Sequence, residues 1–263
     1  MDTAFKHLNA THKDGVAYVK LDRKEKRNAI NDVLIGEIAE FFSAVPAETR
    51  AVILHAEGDH FCAGLDLVER MEKASPDPLI GIRHSRNWYA AFDRIQFGEV
   101  PVISVLKGGV IGGGLELAAA THIRICEAST YFQLPEGQRG IFVGGGGSVR
   151  IPHIIGPGRV IELMLTGRKI PVEEGQALGL AHHVVPDGSG LQKAEEIALQ
   201  IISNSPMSNF AIINGIGNIA EMGSKNGFFA ESILTSVTAR ASNSKERIDT
   251  FFKGRKDRQQ SAE

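Results

Sequence analysis

Residues 102–120 read VISVLKGGVIGGGLELAAA: a β-branched run, a glycine-rich turn and a run of strong helix formers. This order predicts a strand, a tight turn and then a helix that begins near Gly113. The first N–H groups of a helix lack intrahelical partners and point toward such a turn, where the helix dipole is positive. The turn therefore suits an oxygen that gains negative charge, although the glycines alone are also typical of a tight turn with close helix packing.

Two glutamates occupy settings that restrict the backbone. Glu116 lies in the first turn of the predicted helix, and Glu136 follows Pro135 twenty positions further along. Two carboxyl groups held by rigid elements are suited to general acid and base catalysis on one small substrate. The alternatives are a surface glutamate that complements the helix dipole and an ordinary residue of a proline turn. The apolar neighbours of Glu116 argue against a free surface.

The rest of the chain alternates between strand and helix patterns. Apolar residues at helical spacings run from Ile30 to Val45 and from Trp88 to Ile95. Runs rich in β-branched residues predict strands at Val16–Leu21, Ala51–His55, Val102–Leu106, Ile123–Cys126 and His183–Val185. We expect an α/β core over residues 1–190 and a C-terminal helical region over 191–263. The polar, proline-containing segment Glu69–Asp77 is predicted to be a mobile loop over a site.

Composition limits the classes of function. The chain has 263 residues, 43% of them hydrophobic, and a formal net charge of −2, so nothing favours binding to nucleic acid or to a membrane surface. Two cysteines are too few for a disulfide framework. The N-terminal residues form no secretory signal, and no stretch of eighteen apolar residues occurs. We therefore expect a cytoplasmic protein.

Common cofactor and nucleophile motifs are missing or poorly placed. No P-loop, zinc-protease or nucleophile-elbow motif occurs, and we expect no metal site. Residues Gly215–Ala220 match G-x-G-x-x-A but lie in a predicted helix with no acidic residue about twenty positions on. Ser148 is predicted to cap a helix, and Cys62 to be a small buried residue.

Six segments resemble motifs of the enoyl-CoA hydratase/isomerase (crotonase) family and occur in the family's order. They are LDRKEKRNA at 21–29, FCAGLDL at 61–67, GGGLELA at 112–118, FQLPE at 132–136, GIFVGGG at 140–146 and TFFKGRK at 250–256. The resemblance implies a spiral of ββα units followed by a C-terminal helical region that trimerises. It also implies a homo-oligomer, either a trimer or a dimer of trimers.

The same resemblance assigns catalytic roles. The backbone N–H groups of Leu65 and Gly113 would form the oxyanion hole for the thioester carbonyl. Glu116 would accept a proton from water as its oxygen attacks Cβ, and Glu136 would deliver a proton to Cα. The implied reaction is hydration of a 2-enoyl-CoA to a 3-hydroxyacyl-CoA, and the presence of both glutamates favours hydration over a double-bond shift.

The implied contacts with substrate involve eight further residues: Lys26, Arg27, Ala63, Asp66, Gly112, Phe251, Lys253 and Arg255. No cofactor is implied beyond the coenzyme A of the substrate. Two alternatives stay open. One is hydrolysis of the thioester, alone or with hydration, on a 3-substituted acryloyl-CoA such as methylthioacryloyl-CoA; the other is a non-catalytic acyl-CoA binding protein. His122 stands where the family often has aspartate, and we favour a packing role for it.

Overall fold

The computed structural model describes residues 5–240, and its main sheet has six strands. Strands β1 and β2 form an antiparallel hairpin, and every later pairing in this sheet is parallel. The spatial order is β1 (Leu8–Lys13), β2 (Val16–Leu21), β3 (Ala51–Ala56), β4 (Val102–Leu106), β6 (Ile123–Glu127) and β9 (His183–Val185). All five predicted strands are therefore confirmed, two of them one residue longer than predicted.

A second sheet has three short strands, in the order β5 (Gly109–Ile111), β7 (Tyr131–Gln133) and β8 (Lys169–Pro171). Strand β5 follows β4 directly and β7 follows β6, so the chain turns from the first sheet into the second on two successive passes. Strand β5 pairs parallel with β7, and β7 pairs antiparallel with β8. Each pass is thus a strand–strand unit that leads toward a helix, which is the ββα order expected for the predicted fold class.

Ten α-helices occur among the described residues: α1 (Asp32–Ser43), α2 (Leu67–Glu72), α3 (Pro78–Gln96), α4 (Gly113–Ala119), α5 (Gly147–Ile155), α6 (Pro157–Thr166), α7 (Val172–Leu178), α8 (Gly190–Ile202), α9 (Pro206–Ala220) and α10 (Ser224–Ala239). Two 3-10 helices lie at Lys24–Lys26 and Gly137–Arg139. Within residues 5–240, no helix combines the length and apolar character needed to span a membrane.

The main sheet is buried on both faces. Side chains alternate along a strand, so Val52 and Leu54 of β3 join the large core with α1, α3 and α4, whereas Ile53 faces α8. Helix α8 therefore packs on the sheet, and α9 and α10 pack mainly against each other. The division of the chain at residue 190 stays a prediction.

Two local predictions are wrong. The segment Glu69–Asp77 is not wholly a loop, because α2 extends to Glu72; the Asp66 carboxylate accepts a hydrogen bond from the Glu69 N–H and starts this helix. Ser148 is not a helix cap. Helix α5 begins at Gly147 after Gly146, whose φ of 94° favours glycine at the cap position.

Candidate active site

The turn between β5 and α4 is shaped by its glycines. Gly112 has a φ of 52° and a ψ of −119°, a conformation that a side chain would strain. A Cβ at Gly112 would lie 2.7 Å from Oε1 of Glu136, and one at Gly113 would lie 2.6 Å from the Trp88 ring. Helix α4 starts at Gly113 as predicted, and its first two positions are packed so closely that only glycine fits there.

A second loop lies against this turn and carries Leu65. The Cys62 N–H donates to the Gly109 carbonyl at 3.1 Å, and the Ile111 N–H donates to the Cys62 carbonyl at 3.0 Å. Among residues 5–240, the N–H groups of Leu65 and Gly113 donate to no protein acceptor. The two loops therefore present two free backbone donors side by side, which is the arrangement that an oxyanion requires.

Glu116 is buried in the first turn of α4, with 3% of its surface exposed. Its Oε1 accepts hydrogen bonds from the Gly145 N–H at 2.7 Å and the Gly147 N–H at 2.8 Å. Burial raises the pKa of Glu116, and the N–H groups of the glycine run at residues 144–147 oppose that shift. The glycine run thus holds this carboxylate by one oxygen and compensates part of the cost of its charge.

Arg150 braces the glycine run from α5. Its side chain is buried; Nη1 donates to the Gly145 carbonyl at 2.8 Å and Nε donates to Oε1 of Gln96 at 2.5 Å. The guanidinium also pairs with Asp93. The charge of Arg150 opposes the raised pKa of Glu116. Sequence reasoning missed this residue because its side-chain partners, Gln96 and Asp93, lie 54 and 57 positions away. Its one local signal is a position within the first turn after the glycines.

Glu136 has a poorer environment for a charge. Only 6% of it is exposed, and within the described part of the chain its Oε2 has no hydrogen-bond partner. Burial raises the pKa of Glu136 to about 7, with a further rise from the charge of Glu116 and opposition from its own backbone N–H and from Arg139. The two carboxyl groups therefore differ in their surroundings: Oε1 of Glu116 accepts two backbone hydrogen bonds, and Oε2 of Glu136 accepts none among the described residues.

Both glutamates face one cavity of about 470 Å³. The same cavity is lined by Leu65 and Gly113, so the structure brings all four predicted catalytic residues together. Its remaining wall is largely apolar, and the apolar residues are Ala63, Leu67, Met71, Trp88, Ile141, Phe142 and Val143. Arg70, His84 and Arg139 are the basic residues of the lining. A carboxyl pair, free N–H groups and an apolar wall together can bind a small acyl group and move protons on it.

A family model for enoyl-CoA hydratase/isomerase matches residues 11–260. The chain belongs to the enoyl-CoA hydratase/isomerase family. It is 30% identical over 253 residues to the enoyl-CoA isomerase/hydratase fer4 of Mycosarcoma maydis, an alignment that covers 92% of this chain and 91% of that protein. Members of this family act on CoA thioesters.

Solved structures of related proteins confirm the crotonase-type fold. The crystal structure of a protein from Rhodopseudomonas palustris CGA009, provisionally named an enoyl-CoA hydratase, is 43% identical, with a TM-score of 0.91 over 96% of each chain. That of the enoyl-CoA hydratase from Bacillus anthracis is 30% identical, with a TM-score of 0.88 over 95% of this chain and 97% of that one. The trimerisation predicted for the C-terminal helical region stays a prediction.

Seven of the eight predicted substrate contacts of this family member fall into three groups. Gly112 and Ala63 line the cavity, and the Ala63 N–H donates to the Arg27 carbonyl at 2.9 Å. Lys26 and Arg27 are exposed, lie on the 3-10 helix and just after it, and do not line the cavity. Phe251, Lys253 and Arg255 lie outside the described residues.

Asp66 is committed to other contacts. Its carboxylate pairs with Arg23 at 2.7 Å and caps α2, and it is 8% exposed and outside the cavity lining. Hydrogen bonds from the Arg23 side chain and the Glu69 N–H hold the pKa of Asp66 below its usual range, although burial alone would raise it. A direct contact of this side chain with substrate stays a prediction, and its visible role is to fix the start of α2.

Two further residues have the packing roles expected of them. Cys62 is fully buried, and burial raises the pKa of its thiol to about 12, so it is no nucleophile at neutral pH. Nδ1 of His122 accepts from the Val102 N–H at 2.9 Å, and Nε2 lies 3.0 Å from the Gln96 carbonyl. Burial lowers the pKa of His122, so the neutral ring holds two backbone groups in place.

Proposed function

We propose that this protein is a hydratase that adds water across the double bond of a 2-enoyl-CoA thioester to give a 3-hydroxyacyl-CoA. One observation carries the proposal: two buried carboxyl groups, unequal in hydrogen bonding, face the same cavity as two free backbone donors. Groups whose surroundings separate their proton affinities are suited to act as base and acid in one reaction.

The thioester oxygen would bind between the N–H groups of Leu65 and Gly113. Attack of water at Cβ pushes the electron pair of the double bond toward this oxygen, which gains negative charge as an enolate. Donors already in place stabilise that charge without reorganisation, and one such donor lowers the barrier by roughly 3 kcal/mol. The free N–H pair therefore supports chemistry that passes through an enolate.

The two glutamates would divide the proton transfers. Glu116, as a carboxylate, takes a proton from the water as the new C–O bond forms at Cβ. Glu136, entering protonated, gives its proton to Cα, where the enolate electron pair forms the C–H bond. The net change is addition of one water, and passing a proton from Glu116 to Glu136 restores the starting state. The raised pKa of Glu136 supports its role as the acid at neutral pH.

The remaining expectations belong to the same proposal. The reaction as written needs no cofactor beyond the coenzyme A of the substrate, and we place the protein in the cytoplasm. We also propose that it forms a homo-oligomer through its C-terminal helices. Phe228 and Phe229 on α10 are 69% and 71% exposed, and Ile216 on α9 is 66% exposed, which supports a second copy on this surface.

An assay with crotonyl-CoA tests the reaction. We expect loss of the enone absorbance without release of a free thiol. Glu116→Gln and Glu136→Gln should each lower kcat by at least ~10²-fold, the usual contribution of a general acid or base. Glu173→Gln, which changes an exposed glutamate of α7, is the matched control and should leave kcat unchanged.

Each other reaction has its own signature in the same assay. Thiol release in parallel with the loss of absorbance would indicate a hydrolase. A gain of enone absorbance from a 3-enoyl-CoA, with none lost from crotonyl-CoA, would indicate an isomerase. Binding of the thioester with no change in either signal would indicate a non-catalytic protein, and any of these three results would overturn the hydratase proposal.

A further inference from the structure

We propose that the acyl group of the physiological substrate carries a carboxylate, and that Arg70 on α2 binds it. This inference rests on the proposed function and adds the substrate class. Arg70 lines the catalytic cavity together with the two glutamates and the free N–H pair. Its place on this wall is not explained by the proton transfers described above.

The first argument is that the Arg70 guanidinium has no polar partner within the described part of the chain. Among residues 5–240, its guanidinium makes no side-chain hydrogen bond and no ion pair, although it is only partly exposed. Its Nη2 would lie 3.7 Å from a Cβ at Gly81, so the side chain extends from α2 toward α3. A guanidinium has five donors in a fixed fork, and leaving them unpaired beside apolar surface is costly unless a ligand supplies acceptors.

The second argument is that the acidic residues beside Arg70 are already engaged. Lys73 Nζ lies 2.6 Å from Oδ2 of Asp32 and 2.7 Å from Oε1 of Glu69. Nε2 of His84 lies 3.6 Å from Oδ1 of Asp32. Both carboxylates therefore have a cationic partner other than Arg70. Arg70 borders this cluster as well as the catalytic cavity, where the acidic lining residues among residues 5–240 are Glu116 and Glu136.

The third argument concerns the rest of the wall near Arg70. His84 also lines the cavity, and its ring centroid lies 5.7 Å from that of Trp88. Burial, followed by the charge of Arg70, lowers the pKa of His84, so its ring is neutral at pH 7 and can share a hydrogen bond with an anion. Two apolar residues, Leu67 and Met71, line the cavity beside Arg70.

The anion that Arg70 binds is better assigned to the acyl group than to coenzyme A. The exposed basic residues that the resemblance assigns to coenzyme A, Lys26 and Arg27, lie outside the cavity. Arg70 lies inside it with the catalytic groups. A carboxylate fits the planar fork of Arg70 with two parallel hydrogen bonds.

The test compares glutaconyl-CoA, which has a terminal carboxylate, with 2-pentenoyl-CoA, which has the same chain length and no charge. We expect kcat/KM of the natural protein to favour the carboxylate by on the order of tenfold or more. Arg70→Met should bring the ratio of the two values close to one, and Arg70→Lys should retain part of it because the charge stays and the fork is lost. Arg86→Met removes an exposed arginine of α3 that does not line the cavity, and it should leave the ratio unchanged.

Several results would overturn the assignment. A ratio near one in the natural protein would remove the carboxylate preference while leaving the hydratase proposal intact. Loss of the ratio in Arg139→Met but not in Arg70→Met would move the site to the other arginine. Arg70→Met could instead lower kcat/KM equally on both substrates. If that loss is smaller with the dephospho-CoA thioesters, Arg70 binds the phosphate of coenzyme A.

A binding measurement separates this inference from the failure of hydration itself. Calorimetry with glutaryl-CoA and pentanoyl-CoA needs no turnover. We expect the natural protein to bind glutaryl-CoA on the order of tenfold more tightly, and Arg70→Met to lose that difference. If neither enoyl substrate is hydrated but glutaryl-CoA still binds more tightly, the carboxylate site is supported and the protein catalyses a reaction other than hydration. Equal affinities for glutaryl-CoA and pentanoyl-CoA would rule out the site.

Discussion

At the scale of single residues, the difference between Glu116 and Glu136 lies in what each carboxyl group contacts. Both are buried, but Glu116 accepts two backbone N–H groups, whereas Oε2 of Glu136 has no partner in the described structure. The same property that makes Glu136 an acid should make it a cost to stability. A carboxyl group whose pKa is higher in the folded than in the unfolded protein binds its proton more tightly when folded, so stability declines as pH rises.

For Glu136 the relevant window runs from the ordinary value of 4.5 to about 7. Below that window the raised pKa does not lower the free energy of unfolding, and above the window it lowers it by the full amount. Glu136→Gln should therefore be little changed in stability at pH 4.5 and more stable than the natural protein at pH 8, by at most about 3 kcal/mol. Urea unfolding at the two pH values measures this difference. Glu173→Gln should show no such trend, and a pH-independent effect of Glu136→Gln would contradict the assigned environment.

At the scale of elements, the glycine run and α5 act as a holder for Glu116. Arg150 connects the Gly145 carbonyl to Gln96 at the end of α3, and the Gln96 carbonyl in turn faces His122. Arg150→Met should lower kcat/KM by on the order of tenfold to a hundredfold, because even a small displacement of a catalytic group lowers the rate strongly. Loss of the positive charge should also raise the pKa of Glu116 and move the acid limb of the pH profile upward.

The pH profile distinguishes positioning from general loss of folding. Arg150→Lys should recover part of the rate and restore the acid limb, since the charge remains. Arg159→Met, on the exposed side of α6, is the matched control and should change neither quantity. A variant of Arg150 that lost activity with an unshifted acid limb would restrict this residue to a purely structural role.

These elements also show what the sequence could predict. Strands β3 and β4 were predictable because their β-branched runs are continuous, and the start of α4 because glycines precede strong helix formers. Strands β5 and β7 have three residues each, too few to show a period. The two hydrogen bonds to Glu116 were not predictable from spacing, because the donors lie 29 and 31 positions away. The convergence of Glu116 with Glu136 was implied by the family resemblance, and the fold explains it through the second sheet.

At the scale of the whole molecule, helices α9 and α10 pack against each other but bury few of their own residues. The buried residues of α9 are Asn209 and Gly215, and α10 buries only Gly227, within the described chain. Isolated helices of this length are marginal in water, since most helical stability comes from packing of an apolar face. The exposed phenylalanines of α10 therefore need a covering surface, and a second copy of the chain is the covering that we propose.

Phe229→Glu should disrupt this assembly, because a charge on the covered face would be buried without a partner. We expect the natural chain of 28.4 kDa to sediment at three or more times that mass, and the variant to shift toward the single chain. Val68→Glu places the same charge on an exposed residue of α2 and should leave the mass unchanged. A natural protein that sediments as a single chain at micromolar concentration would rule out the second copy as the cover of this face.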